Sequence, residues 1–190
     1  IMNILRLAFA GALFLATTTG AVVAQAADFL TIQLKDGPVV IELDSKSAPK
    51  HVERMKALAA AGEYDNVAFH RVIEGFMAQT GDVQYGDLAD GYQAQAAGTG
   101  GSSQPDLPAE FSEVPFQRGT VGMARSQDPN SANSQFFIMF APGDFLNGQY
   151  TVVGKVVSGM ENVDKIKRGD DANNGSVTDP DRMVKVTVGK

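Results

Sequence analysis

"FHRVIEGFMAQTGD", residues 69–82, is the stretch on which the reading of this chain turns. Val67, Phe69, Val72, Ile73, Phe76 and Met77 read as a half-buried strand and its continuation, with a bend at Gly75. Side chains on a strand alternate faces. Phe69, Arg71 and Ile73 are therefore expected on one surface, and Met77 and Gln79 on one surface after the bend. His70 points to the opposite face. Arg71 is then a permanent charge among large apolar groups, with no acidic residue until Glu74. Either it buries its stem and sends its head to water, or it is a donor held beside an apolar surface.

A second stretch, "SQFFIMF" at 134–140, has the same character. Gln135, Phe137 and Met139 share one face, while Ser134, Phe136 and Ile138 share the other. Each stretch can place polar donors beside large apolar groups on a single surface.

Working outward, "FLTIQL" (29–34) and "PVVIEL" (38–43) flank the turn Lys35-Asp36-Gly37, the signature of a β-hairpin. In the following segment Ser47 can cap a helix, Pro49 suits its first turn and Gly62 closes it. Val52, Met55, Leu58 and Ala59 recur at helical spacing. "GTVGMA", "YTVVGKVV" and "RMVKVTV" are further strands, and "GMENVDKIKRG" (159–169) is a short helix ending at Gly169. Residues 82–118 form a long Gly-rich, polar connection, of the kind that is functional or disordered. Many short strands with few helices predict a mainly β barrel or sandwich with helices at its ends.

The 190 residues are 44% hydrophobic, which suits one domain with a packed core. A net charge of −6 argues against a nucleic-acid binder, which needs a basic stripe. Without cysteine there is no disulfide and no thiol chemistry. "MNILR", an uncharged run and the small residues Ala24-Gln25-Ala26 have the pattern of a secretory signal peptide over residues 1–26. Cleavage leaves a mature domain, 27–190, expected in the periplasm with no stable membrane insertion.

Other motifs fail on spacing. His51 and His70 are not spaced for a metal, and none is expected. "DANNG" from Asp171 begins like a calcium loop, but Ser176 stands where Gly is needed and Arg182 where a bidentate Glu belongs. It reads as a polar turn. Arg168-Gly169-Asp170 is read as a helix end between charged neighbours. Neither a G-x-S-x-G elbow nor a P-loop is present.

Taken together, "FHRVIEGFMAQTGD", "GTVGMA", "NSQFFI", "FLNGQYTVVGKV" and "PAEF" resemble the cyclophilin family of peptidyl-prolyl cis-trans isomerases, over essentially all of residues 29–188. The resemblance implies a closed eight-stranded antiparallel barrel capped by two α-helices, with a peptide groove on its outer face. It implies X-Pro isomerisation without a cofactor, acting as a monomer on proline-containing polypeptides and on unfolded exported proteins. Matched motif by motif, the catalytic arginine falls on Arg71 and the proline pocket on Phe76, Met77, Phe137 and Leu146. Gln79 and Gln135 match the groups that hold the peptide backbone, and Ala124 a small groove position. Three groove residues depart from the eukaryotic pattern and resemble bacterial members. Phe145 replaces a tryptophan, Tyr150 a histidine and Arg125 an asparagine. Without the indole donor, cyclosporin is expected to inhibit weakly. Two other functions remain compatible with the residues alone: a peptide-binding chaperone on the same scaffold, and a barrel whose interior binds a small ligand.

Overall fold

The computed structural model describes residues 28–189, so the signal-peptide reading of 1–26 falls outside the described residues. Eight strands form one antiparallel sheet: β1 (Asp28–Leu34), β2 (Gly37–Leu43), β3 (Arg71–Ile73), β4 (Met77–Thr80), β5 (Thr120–Met123), β6 (Phe136–Met139), β7 (Val152–Ser158) and β8 (Lys185–Gly189). Helix α1 spans Pro49–Ala60, and α2 spans Met160–Val163. No helix among the described residues is long and apolar enough to cross a membrane.

The hairpin β1–β2 forms as its pattern predicts. Leu30, Ile32, Leu34, Val39, Ile41 and Leu43 are buried, and Leu34 pairs with Gly37 across the two-residue turn. Strand order is β3-β4-β6-β5-β7-β2-β1-β8. The expected closed barrel is not formed. β3 and β8 are the edges of an open sheet curled into a half-barrel, and no ladder joins them. Between them runs "GDDANNGSVTDPD" (169–181), whose glycines, Asn, Asp and Pro180 suit turns rather than a strand. It spans the gap irregularly, through the bridge Ala68–Arg182 and the amide of Phe69 donating to Asp181 O (2.8 Å).

Two apolar clusters lie on opposite faces of the sheet. The larger fills the concave side under α1 and includes Leu30, Ile32, Ile41, Met55, Phe69, Val72, Phe136 and Ile138. The smaller gathers Met77, Phe116, Phe137, Met139, Leu146 and Val152. The concave side is thus packed with side chains, which removes the reading of an interior ligand barrel. Phe69 belongs to the larger cluster and not to the face of Arg71. Regular strand geometry begins only at Arg71, so the alternation expected from Phe69 does not hold.

α1 buries Val52, Met55, Leu58 and Ala59 as its spacing predicts, and ends in a pair of bonds from Gly62 N to Ala59 O and Glu63 N to Leu58 O. Ser47 does not cap it; its amide instead donates to Asp44 Oδ1. The free amides of Lys50 and His51 donate to the carboxylate of Glu110, 59 residues further along, and His51 Nδ1 donates to the same group at 2.6 Å. A carboxylate here satisfies orphan donors and faces the positive end of the helix. α2 is one turn only, shorter than expected, because the chain must swing back so that Gly169 N can reach Val72 O.

The long connection 82–118 is ordered from within. Buried Asp82 accepts the amides of Gln84, Tyr85, Gly98 and Gly100, and Arg54 holds Pro105 O. Glu110 joins its far end to α1.

Burial alone would raise the Glu110 carboxyl, but the His51 ring and the two amides outweigh it and hold the group below its ordinary 4.5. A depressed carboxyl stabilises the fold above the unfolded-state value and loses that contribution as pH falls through the folded value. Glu110→Gln is expected to cost about 0.5–2 kcal/mol at pH 7, the size of a lost helix cap. It should also flatten the acid limb of melting temperature against pH below about pH 5. Thermal denaturation from pH 7 to 3 checks both.

Candidate active site

β5 and β6 are buried along their whole length. On the convex side the smaller cluster is left without an α-helix over it, and a cavity of about 430 Å³ opens there. Arg71, Phe76, Met77, Gln79, Ala124, Arg125, Phe137, Phe145, Leu146 and Tyr150 line it. The tenth of the sequence-derived groups that surround Arg71, Gln135, lies in an adjoining cavity of about 240 Å³, which shares Gln79, Ala124 and Arg125 with the first.

Register explains the assembly. Arg71 pairs with Gln79, Gln79 with Phe137, and Phe137 with Gly122, a single row across β3, β4, β6 and β5. Two residues on, and so on the same face, Ile73 pairs with Met77 and Met77 with Met139. The cavity floor is apolar and nearly closed to water: Met77 is 1%, Phe137 5% and Leu146 6% exposed. Phe116 stacks on Phe137 at 5.7 Å between ring centres, and Tyr150 meets Phe137 edge-on at 5.9 Å. Phe145, largely exposed, leans on Phe76 at the rim.

Polar groups form a chain along one wall. Gln135 Nε2 donates to Gly100 O (2.8 Å), Gln79 Nε2 to Gln135 Oε1 (2.9 Å), and Arg71 Nη1 to Gln79 Oε1 (3.2 Å). Because Gly100 is itself held by Asp82, the long connection fixes the far end of this chain. Arg71 Nε and Nη2 donate to Asn174, to its main-chain oxygen and its Oδ1, each at 3.0 Å. Each terminal nitrogen of Arg71 keeps a second N–H. Burial lowers the pKa of Arg71 from its ordinary value, though a guanidinium stays charged in a protein. Among the described residues no carboxylate forms an ion pair with it. Its neighbour His70 is buried, does not line the cavity and has its imidazole pKa lowered by burial.

Arg125 stacks over the Tyr150 ring at 4.3 Å and donates to Gln149 O and Ser126 O. Gln149 also lines the cavity and was not anticipated from sequence, nor was Asn174. Each reaches the site from a turn, where no periodic pattern points to it.

The sequence model described as "Cyclophilin type peptidyl-prolyl cis-trans isomerase/CLD" matches residues 29–188. The chain belongs to this family. A probable peptidyl-prolyl cis-trans isomerase of Brucella suis is 61% identical over 191 residues, covering 98% of this chain and 97% of that protein. A cyclophilin type isomerase of Cryptosporidium parvum, solved in the presence of the dipeptide Ala-Pro, is 28% identical. Its TM-score is 0.72, over 85% of this chain and 99% of that one. The cyclophilin AquaCyp293 of Hirschia baltica shares the fold, at 24% identity and a TM-score of 0.68 over 84% of this chain and 73% of its own. The chain is accordingly a peptidyl-prolyl cis-trans isomerase of the cyclophilin family.

Gly122 makes room for the aromatic floor of this cyclophilin's cavity. A Cβ there would stand 2.5 Å from Phe116 Cε1 and 2.6 Å from Phe137 Cζ. Gly122→Ala is expected to tilt the Phe116–Phe137 stack, costing about 1–3 kcal/mol of stability by overpacking and raising KM for a prolyl peptide. Chemical denaturation and steady-state kinetics on one preparation check the two effects.

Proposed function

We propose that the convex cavity accelerates X-Pro rotation in exported proteins as they fold, with Arg71 as the catalytic donor. The observation that carries this reading is the row Arg71–Gln79–Phe137, which sets a guanidinium with no ion-pair partner among the described residues beside a nearly dry apolar floor.

Rotation about a peptide bond has a barrier of about 18–20 kcal/mol, because the nitrogen lone pair is delocalised into the carbonyl. For X-Pro the two planar forms differ by only about 0.5–1 kcal/mol, yet exchange takes tens to hundreds of seconds. A catalyst therefore needs no nucleophile and no proton relay. It must bind the twisted amide better than either planar form.

In the twisted amide the proline nitrogen is pyramidal and accepts a hydrogen bond, which it does poorly when planar. Phe76, Met77, Phe137 and Leu146 grip the ring. Gln79 and Gln135 hold the adjacent main chain, while Ala124 leaves room for it. Arg125, Phe145 and Tyr150 also line the groove. With the ring held, the preceding carbonyl swings and an N–H of Arg71 meets the nitrogen. Water excluded by the floor strengthens that contact. A ten-thousandfold acceleration corresponds to about 5–6 kcal/mol, within reach of one charge-assisted bond plus orientation.

Arg71→Ala is expected to lower kcat/KM on a prolyl tetrapeptide at least about a hundredfold, with circular dichroism and melting temperature near those of the parent. A folded variant with near-normal turnover would remove Arg71 from the chemistry. Such a result would favour peptide binding as the groove's main task.

Residues 1–26 carry the signal-peptide pattern, which supports a periplasmic site of action. Expression of the full chain in a Gram-negative host should yield a periplasmic product starting at Ala27 or Asp28. Intact-mass measurement of a cytoplasmic product that retains the leader would refute export.

A further inference from the structure

β3 is an edge strand, and its outer side is covered by the turn 169–177 rather than by β8. Val72 N donates to Gly175 O, Gly169 N to Val72 O, and Val177 N to His70 O. Within the turn, Asp170 accepts Ala172 N and Asn173 Nδ2, closing a short 3-10 segment, Asp171–Asn173. Gly175 lies flat on Ile73, where a Cβ would overlap the Ile73 side chain. These contacts place the turn on β3 without using the Asn174 side chain.

Asn174 itself sits in the left-handed region, at φ 54 and ψ 35. Asn adopts this conformation more readily than other residues with a side chain. From there its main-chain oxygen and Oδ1 receive the Nε and Nη2 of Arg71, both at 3.0 Å. Two of the three contacts that orient the guanidinium therefore come from this one residue, 103 positions away. In a segment, 169–181, that carries Asp170, Asp171, Asp179 and Asp181, the side-chain group that touches Arg71 is a neutral amide.

We propose that Asn174 is a positioning residue for Arg71: it fixes the guanidinium plane over the groove while leaving its charge uncompensated. This rests on the role given to Arg71 above. Two acceptors on one edge of a planar fork set its orientation, so the remaining N–H groups are aimed before substrate arrives. A carboxylate in the same place would also orient the fork. It would, however, form an ion pair with the guanidinium and weaken donation to a proline nitrogen.

The test compares the parent, Asn174→Gly, Asn174→Asp, Arg71→Ala and the double variant Arg71→Ala/Asn174→Gly on one prolyl tetrapeptide. Glycine accepts the left-handed conformation and keeps the main-chain oxygen, so only Oδ1 is lost. Asn174→Gly is expected to lower kcat about five- to twentyfold, as for one lost charge-assisted hydrogen bond. KM should stay within about twofold and the melting temperature near that of the parent. Asn174→Asp, which keeps the acceptor, is expected to lose at least about tenfold in kcat through charge compensation. In the Arg71→Ala background, Asn174→Gly should cost nothing further, because the two residues act as one unit.

A parental kcat in Asn174→Gly overturns the proposal. So does an equal loss on adding Asn174→Gly to Arg71→Ala, since that pattern belongs to a structural role. Failure of the underlying reading looks different: an inactive parent or a fully active Arg71→Ala variant removes the donor itself, and the positioning role with it.

Discussion

Phe136 and Phe137 are successive residues on one strand, both buried, on opposite faces of the same sheet. The rest of the structure depends on that double burial. A sheet with one apolar face can leave the other to water, but β6 needs cover on both sides. Its concave side receives α1 and the main core. Its convex side receives only Phe116, Leu146, Tyr150 and their neighbours, which wall the floor without roofing it. The groove is what remains of an apolar surface with no element of its own to cover it.

Around this frame, the chemistry is held by groups that satisfy orphan backbone donors and charges. Asp82 gathers four amides and so sets Gly100 O for Gln135. Glu110 caps a helix that its own sequence leaves uncapped. Asn174 holds the guanidinium at an edge that no strand completes. All three lie in irregular segments, Asp82 and Glu110 in the long Gly-rich, polar connection and Asn174 in a turn rich in Asp, Asn and Gly. Such segments carry function because they can place a backbone oxygen or a short polar side chain where a regular ladder cannot. The open edge of the half-barrel is thus the place where a turn can reach Arg71.

Sequence patterns exposed those parts of the fold that depend on near neighbours. The hairpin of residues 29–43 is legible from two β-rich runs around an Asp-Gly turn, and α1 from the recurrence of Val52, Met55, Leu58 and Ala59. Ser47 is the cap that the local sequence offers, whereas the acceptor comes from a loop 59 residues away from His51. Phe69 was placed with Arg71 by an alternation that starts two residues later than assumed. Closure of the barrel was an expectation drawn from resemblance, and the run between Gly169 and Asp181 has too many turn-formers to sustain a ladder. Most groove residues were identifiable because they sit on strands, or beside strands, in recognisable blocks. Gln149 and Asn174 are not, because each comes from a turn, that of Asn174 103 residues distant, and leaves no periodic trace near Arg71.

The reaction helps to explain why so much of the structure goes into fixing one side chain. A nucleophile announces itself by forming a bond, and errors in its resting position can be corrected as the bond forms. A donor to a twisted amide nitrogen gains only the difference between an acceptor that exists for an instant and one that does not. Whatever reorganisation the donor needs at that instant is subtracted from the gain. Arg71, the proposed donor, has long, flexible torsions and a strongly solvated head, so left free it would lose most of the advantage to side-chain entropy. Gln79 on one side and Asn174 on the other remove that freedom in advance, with acceptors that carry no charge. Neutral acceptors are the better choice here, since a carboxylate would hold the fork equally well and spend its field on the ground state.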